Sequence, residues 1–312
     1  GAAGVRAARL AAIGLALAGP LLGVGCQDHR AAGRRVVDGL GRAILLPESP
    51  RRIVSLAPSV TDALFALGFG DRVVGVTDFC RPPAAAGPIP RVGGMLNPSL
   101  ETIQELEPDL LVATTSGNDA ALAAQASALG LPLYTLHTPD IEAILRSLID
   151  LAAALGRPER SEPVVSELRR RLAALRERLG GRPPVKVLYV VWGNPLVVPG
   201  GPAFVTDALR RAGAAPITGD APAAWPAYTL EAVLADAPEA ILTTARNRDL
   251  VERLARDPAW SGVPAVRRGR VHVVSGSIEQ PGPRAIDGIE EVARVLHPDL
   301  FGRGRPAGHG ED

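Results

Sequence analysis

The sequence places large apolar side chains in segments that are otherwise rich in glycine and proline. Aromatic residues make up only 4% of the 312 residues, so an aromatic group in such a segment is informative. Flat apolar side chains bind by burying surface, about 150–250 Å² each when fully covered, and carry no bond-breaking chemistry. The residues of this kind are Phe79, Met95, Trp192, Phe204, Trp225 and Tyr228. The pattern predicts a binding site for a flat, bulky ligand.

The sequence contains none of the common catalytic or metal-binding motifs that we considered. The sequence has no phosphate-binding loop, no Gly-x-Ser-x-Gly motif, no His-Glu-x-x-His and no dinucleotide fingerprint after the first strand. The five histidines lack metal-ligand spacing, and two cysteines exclude a disulfide-rich scaffold. A net charge of +1 gives no bulk attraction for nucleic acid. We predict a protein that is not an enzyme, with an α/β enzyme as a remote alternative.

The N-terminus has the pattern of an export signal. Arg6 and Arg9 precede residues 10–25, an uncharged stretch that is shorter than the about 20 residues a spanning helix requires. The stretch ends at Cys26 and resembles a bacterial lipoprotein signal, whose cysteine becomes the lipidated first residue. Export with lipidation of Cys26 is therefore predicted. The alternative is an ordinary cleaved signal in which Cys26 is incidental.

An internal repeat indicates how the binding residues are positioned. From residue 51 onward apolar strands alternate with short helices, which is typical of a parallel α/β sheet. The phrase Val-Thr-Asp-Ala-Leu at 60–64 recurs at 205–209, and Ser99-Leu100-Glu101 recurs as Thr229-Leu230-Glu231, in the same order. Two ordered matches at similar offsets predict two related lobes.

A long helical pattern lies between the lobes. Thr138 is expected to cap a first helix with Pro139 at its first position, and residues 159–179 form a second helix about 30 Å long. One continuous connecting helix predicts a stiff frame with limited closure. The predicted organisation is a signal (1–26), a tether and hairpin (27–50), a first lobe (51–138), connecting helices (139–182), a second lobe (183–300) and a disordered tail (301–312).

Several phrases resemble one class of transport protein. They are RIVSLAPS (52–59), VGVTDFC (74–80), VGGMLNPSLE (92–101), EPDL (107–110), Trp225-Pro226 before Leu230-Glu231, and PGPR (281–284). Together they resemble the helical-backbone substrate-binding proteins of ABC importers, and among these the cobalamin-binding proteins, over about residues 36–300. The resemblance implies an α/β fold of two Rossmann-like lobes with parallel sheets, joined by a long rigid helix: the class III substrate-binding fold.

The same resemblance implies a function. It implies a receptor that binds cobalamin or a related cobalt corrinoid between its lobes and delivers it to a membrane permease and its ATPase, with no cofactor of its own. A ferric siderophore or haem is the alternative ligand within the class, and a membrane sensor is the alternative partner. The implied location is the periplasm or the outer face of the cell membrane, with a lipid anchor.

Ligands of two-lobed parallel α/β proteins bind at the carboxyl ends of the strands, between the lobes. The predicted ligand-binding residues are Trp225, Trp192, Phe79, Met95, Asn118, Phe204, Tyr228 and Arg284. By resemblance, Trp225 is the tryptophan of the family's Trp-Pro loop, and Met95 stands where cobalamin binders often have an aromatic residue. Four alternatives stay open: Trp225 packs under its own loop, Phe79 belongs to the core, Tyr228 fastens the next helix, and Arg284 caps a helix or forms a surface ion pair.

Glu101 and Glu231 occupy equivalent positions in the repeat, just after a serine or threonine that caps a helix. An acidic group in the first helical turn is favoured by the helix dipole alone. The resemblance implies a second role, in which one glutamate on each lobe docks onto arginines of the permease. The two roles are compatible, because the carboxylate still faces outward.

Overall fold

A β-hairpin comes first in the part of the chain that the structure describes. The structure is a computed structural model and describes residues 33–118 and 121–302. The predictions for the signal, for Cys26 and for most of the tail lie outside the described residues. Strands β1 (Gly33–Val37) and β2 (Ala43–Pro47) pair antiparallel, as predicted. The turn is fixed by Asp38, whose carboxylate accepts hydrogen bonds from the amides of Leu40 and Arg42.

The first lobe is a parallel sheet with helices between its strands. Its elements are β3 (Ile53–Ser55), α1 (Pro58–Ala66), β4 (Val73–Val76), α2 (Leu100–Glu105), β5 (Leu110–Thr114), α3 (Ala121–Ala128) and β6 (Leu133–Leu136). The strand order is β4-β3-β5-β6, and every pair is parallel. The strands are almost entirely buried and apolar, as expected where helices cover the sheet.

Two helices connect the lobes: α4 (Ile141–Ala154) and α5 (Ser161–Leu179). The predicted cap at Thr138 is wrong, because the side chain of Asp140 accepts the hydrogen bond from the amide of Ala143 and caps α4 two residues later. Helix α5 ends at Gly180, which adopts the left-handed conformation with φ of 57°. At about 1.5 Å per residue, α5 is about 28 Å long, close to the predicted length.

The second lobe repeats the first. Its elements are β7 (Val185–Val190), β8 (Trp192–Gly193), β9 (Leu196–Val197), α6 (Phe204–Arg211), β10 (Ala214–Pro216), α7 (Leu230–Asp236), β11 (Ala240–Thr244), α8 (Arg248–Arg256), α9 (Pro264–Arg267), β12 (Val271–Val274) and α10 (Ala285–Leu296). The parallel strand order is β10-β7-β11-β12, which matches the first lobe strand for strand. The predicted fold of two parallel-sheet lobes is confirmed.

A shared core joins the lobes. Buried side chains of α1, α4, α5, α6 and α10 form one continuous cluster, with Leu64, Leu148, Leu168, Leu209 and Ile289 as examples. Each lobe has a second, smaller cluster on the other face of its sheet. The lobes are therefore held together by packed helices as well as by α5, which restricts their relative movement. None of the helices in the described residues has the length and apolar character needed to span a membrane.

Candidate functional site

The carboxyl ends of the two sheets meet across a cleft. The segment after β12 reaches from the second lobe to the first, where Gly282 lies directly against Ser59 at the start of α1. A Cβ atom at Gly282 would lie 3.0 Å from the Ser59 carbonyl oxygen, so a larger residue would push the two segments apart. Strand-end loops of both lobes therefore meet here, and in folds of this kind ligands bind in the cleft between such loops.

Two tryptophans of the second lobe lie at this cleft. Val191 alone separates Trp192 from the end of β7. Trp192 is 50% exposed and Trp225 is 48% exposed. In the β8–β9 ribbon Trp192 pairs with Val197, which in turn bridges Ala227, two residues beyond Trp225. Trp192 therefore lies two strand spacings, about 10 Å, from Ala227, with β9 between them, and Trp225 comes two residues before Ala227. Both have exposed apolar surface, and their role in ligand binding stays a prediction.

The first lobe offers Phe79, but not Met95, to the cleft. Phe79 lies in the turn after β4 and is 64% exposed. Met95 is half-buried against the shared core, and its Sδ–Cε end lies over Gly117, where a Cβ would clash with it at 2.2 Å. The neighbouring Leu96 is 72% exposed instead. The prediction for Met95 is corrected accordingly: the loop turns Met95 inward and Leu96 outward.

Asn118 holds loops in place and has little left for a ligand. Its Oδ1 accepts a hydrogen bond from the amide of Thr114, and its Nδ2 donates to the carbonyl oxygens of Leu56 and Met95 at 2.9 and 2.8 Å. In the second lobe Asn247 does the same, since its Nδ2 donates to Val191 O at 2.9 Å. The predicted ligand contact is therefore replaced by a positioning role, which the sequence did not reveal.

Two further predicted ligand residues are structural. Phe204 is only 6% exposed, because it begins α6 and packs into the shared core. The ring of Tyr228 packs against the outer core of the second lobe, and its hydroxyl donates to Asp236 at the end of α7. Burial and this hydrogen bond raise the pKa of Tyr228 to about 12. Tyr228 thus fastens α7, the alternative considered from the sequence.

Arg284 lies at a contact between the lobes. It precedes α10, and its side chain faces a groove of about 650 Å³ between α1, the first half of α5 and the start of α10. Its Nη1 lies 4.0 Å from Oδ1 of Asp62, a residue of the first lobe. The ligand role of Arg284 stays a prediction.

The sequence interpretation missed a polar cluster in the second lobe. Tyr189 of β7 is buried, and its hydroxyl donates to Oε1 of Glu279 at 3.0 Å, while Arg246 Nη2 lies 3.9 Å from Oε2. Burial raises the pKa of Glu279, and the bond from Tyr189 and the charge of Arg246 partly oppose this. The adjacent Gln280 has a buried Oε1 without a hydrogen-bond partner among the described residues. Tyr189 lies within β7, whereas Arg246 follows β11 and Glu279 follows β12, so the cluster depends on side-chain depth as well as on which strands are neighbours.

One histidine of the described chain lies at a strand end in the first lobe. His137 follows β6, is exposed, and its Nδ1 forms a hydrogen bond with Thr115 Oγ1 at 3.1 Å, which leaves Nε2 for another contact. Within residues 33–118 and 121–302 no three His, Cys, Asp or Glu side chains converge as a metal site. Cys80 is buried beside Thr77.

Glu101 and Glu231 lie at equivalent helix starts. Ser99 caps α2 and Thr229 caps α7, each through a side-chain oxygen that accepts an amide hydrogen bond. Both carboxylates are exposed, and hydrogen bonds from its own amide and from Thr229 lower the pKa of Glu231. Helices of a parallel sheet run opposite to the strands, so these N-termini lie at the edge where the cleft opens.

Comparison with known proteins agrees with this fold and cleft. Residues 53–276 match the model of a periplasmic binding protein family, and the chain belongs to that family. The family's location agrees with the predicted export, whereas lipidation of Cys26 stays a prediction.

Individual relatives cover most of the chain. An uncharacterized ABC transporter substrate-binding lipoprotein of Bacillus subtilis, YvrC, is 29% identical over 85% of each chain. The periplasmic vitamin B12-binding protein BtuF of Vibrio cholerae superposes with a TM-score of 0.70 at 25% identity, covering 81% of this chain and 99% of BtuF. The periplasmic haem-binding protein RhuT of Roseiflexus sp. RS-1 gives 0.71 at 26% identity, covering 80% and 99%.

Proposed function

We propose that this chain is the solute receptor of an ABC importer and binds cobalamin or a related corrinoid in the cleft between its lobes. The observation that carries the proposal is the pair Trp192 and Trp225, both half-exposed and both on segments next to β9. Covering the exposed half of each indole, roughly 100 Å², stabilises a complex by about 2–3 kcal/mol per residue. Phe79 and Leu96 provide apolar surface from the first lobe.

The polar groups of the cleft favour an amide-bearing ligand. Glu279 and Gln280 bring buried acceptor oxygens to the strand ends, and the Gln280 oxygen lacks a partner among the described residues. A corrin ring carries amide side chains whose N–H groups would satisfy such acceptors, whereas the carboxylates of haem would face them as further acceptors. The Vibrio cholerae relative named for vitamin B12 supports the same ligand class.

A haem ligand is the second candidate, and His137 favours it. Its free Nε2 at the end of β6 is a suitable axial ligand for iron, with Thr115 orienting the ring. The three tyrosines are engaged elsewhere: Tyr134 and Tyr189 are buried, and Tyr228 is bonded to Asp236. A haem complex should therefore lose its Soret shift in His137→Ala, while a corrinoid complex should keep its affinity.

A titration of the purified protein tests the ligand. Cyanocobalamin, haemin and a ferric siderophore are added separately and binding is followed by visible absorbance. We expect saturable binding of cyanocobalamin that Trp225→Ala weakens by about 50-fold, which corresponds to 2–3 kcal/mol. The control is Trp260→Ala, because Trp260 packs against the outer core of the second lobe. Binding of haemin or the siderophore alone would move the protein to another ligand class.

Glu101 and Glu231 are the proposed contacts with the permease. Their support is their exposure, their equivalence in the repeat and their place at the cleft edge. Paired charges of this kind set orientation and association rate. Reversal of both to lysine should abolish uptake without changing ligand affinity, whereas the control pair Glu105→Lys and Glu252→Lys, also exposed, should transport normally. Normal uptake by the first pair would remove the docking role.

A lipid anchor at Cys26 completes the proposal. Its support is the sequence pattern before Cys26 and the lipoprotein relative in Bacillus subtilis. In cells, Cys26→Ser should move the protein from the membrane fraction to the soluble fraction. A wild-type protein that is already soluble would contradict the anchor and leave an ordinary cleaved signal.

A further inference from the structure

The repeated phrase Val-Thr-Asp-Ala-Leu brings an aspartate to each contact between the lobes. Asp62 lies on α1 and Asp207 occupies the same position on α6. Helix α1 faces the start of α10 in the other lobe, and α6 faces the start of α4. The two contacts are thus related by the same duplication as the sheets, which allows a direct comparison.

The contact at Asp207 is complete. Its Oδ2 accepts a hydrogen bond from the amide of Ile141, the first residue of α4, and another from Arg211 Nε, both at 3.0 Å. The carboxylate therefore helps to satisfy the amides at the start of α4 and carries a paired positive charge. This contact fixes one side of the boundary between the lobes.

The contact at Asp62 is incomplete. Oδ1 lies 4.0 Å from Arg284 Nη1, beyond the 2.7–2.9 Å of a charged hydrogen bond. Oδ2 is buried and has no hydrogen-bond partner among the described residues. The side chain as a whole is only 14% exposed, so water has little access to it. A buried carboxylate oxygen without a donor is costly. A shift of about 1 Å of α1 towards α10 would bring Oδ1 within hydrogen-bond distance of Arg284 and give the carboxylate a charged donor.

The surroundings leave Arg284 as the partner. The charged groups that line the groove with Asp62 are Arg284 and Asp287 near α10, Glu167 and Arg171 on α5, and Arg81 after β4. Arg171 is already bound by Asp287 and Glu290 at 2.7 and 2.9 Å. Arg284 is the only cation of the described chain within 4.0 Å of Asp62. Burial raises the pKa of Asp62 to about 6, Arg284 opposes this, and Asp287 adds to it.

We propose that Asp62 and Arg284 form a latch between the lobes that is half-made in the structure and closes when a ligand draws the two lobes together. The latch makes Asp62 a positioning residue for ligand capture. This inference rests on the proposed function only for the identity of the ligand. The groove beside α5 leaves room for the small movement, and the shared core limits it to that scale.

Closure of the latch couples ligand binding to pH. The approach of Arg284 lowers the pKa of Asp62 in the closed arrangement below its value of about 6 in the half-made one. Above that value Asp62 is ionised in both arrangements, and pH has no effect. As the pH falls below it, protonation stabilises the half-made arrangement, so ligand affinity falls by up to about tenfold per pH unit.

Binding measurements between pH 7.5 and 5 test the latch. With cyanocobalamin as the ligand, the wild-type affinity should be level above pH 7 and fall about three- to tenfold by pH 5. Asp62→Asn should bind more weakly at pH 7.5 and lose most of this slope, while Asp207→Asn should keep it. Glu279 also titrates near the cleft, so the comparison of variants decides. An unchanged slope in Asp62→Asn would overturn the latch.

A distance measurement separates the latch from the choice of ligand. Spin labels at Gln104→Cys in the first lobe and Ala259→Cys in the second report the separation of the lobes, both sites being exposed and Cys80 buried. Without ligand, a fraction of wild-type molecules closes the latch at pH 7.5, where Asp62 is ionised, and we expect their shorter distance to disappear at pH 5. Asp62→Asn should lack this shorter distance at both pH values. If cyanocobalamin does not bind yet the distance shifts, the ligand proposal fails and the latch stands. A distance unaffected by pH would reject the latch.

Discussion

The first lobe exposes Phe79 and Leu96 on loops, whereas the second lobe exposes Trp192 and Trp225 and contains the hydrogen-bonded pair Tyr189 and Glu279. The sheets beneath have the same strand order. The duplication therefore preserved the scaffold while the loops acquired different chemistry. The second lobe supplies rigid flat surface and polar anchors, and the first supplies smaller apolar contacts.

This division predicts unequal losses of affinity, which is the largest expected effect. Trp192→Ala with Trp225→Ala should weaken cyanocobalamin binding by 1,000-fold or more, about 4–5 kcal/mol, because both indole faces are removed. Phe79→Ala with Leu96→Ala should cost roughly 10–100-fold. Absorbance or calorimetric titration measures both. Equal losses from the two pairs would show that the lobes contribute alike and contradict the division.

The sequence predicted the scaffold well because the repeat encodes it locally. The parallel sheets, the two lobes and the end of α5 at Gly180 follow from periodicity, the repeat and glycine caps. The direction of individual loop side chains did not follow, since Met95 and Leu96 are adjacent apolar residues and only tertiary packing turns one inward. The predicted cleft position of Phe204 was wrong because its burial in the shared core also depends on tertiary packing.

The polar cluster was harder to predict for a different physical reason. Tyr189 lies within an apolar strand, where the pattern indicates core, and its hydroxyl reaches Glu279, 90 residues later. Such a pair depends on which strands are neighbours and on how deep each side chain lies. Strand order from the repeat gives the first condition but not the second.

The duplicated asparagines predict the next largest effect, on stability. Asn118→Ala and Asn247→Ala each leave buried backbone groups unpaired and should lower the free energy of unfolding by about 2 kcal/mol. Asn118 also holds the carbonyl of Met95, so only its variant should weaken ligand binding as well. Thermal unfolding and cyanocobalamin titration measure the two effects. The control is Asn97→Ala, because Asn97 is exposed. A similar loss of stability and of ligand affinity in Asn97→Ala would contradict the positioning role of Asn118.

The helix caps predict a smaller effect that is the same in both lobes. Ser99→Ala and Thr229→Ala each remove a side-chain acceptor for one helix amide and should cost about 1 kcal/mol of stability. Chemical denaturation measures the loss. Equal costs would confirm that the first turns carrying Glu101 and Glu231 remain equivalent. A cost confined to one lobe would weaken the proposal that both turns present a docking carboxylate.

The smallest expected effect is the pH dependence contributed by the buried carboxylate of the second lobe. Burial raises the pKa of Glu279 in the folded protein, so folding favours its protonated form, and this contribution is lost as the pH rises through the raised value. Glu279→Gln keeps an acceptor for Tyr189 and avoids the buried charge. It should therefore unfold about 1–2 °C above the wild type at pH 7.5, with no difference near pH 4. Glu105→Gln, exposed on the first lobe, should change neither value. If Glu279→Gln is instead less stable than the wild type at pH 7.5, the charge of Glu279, paired with Arg246, stabilises the fold. The cluster would then have a structural role and would not serve as a set of hydrogen-bond acceptors for a ligand.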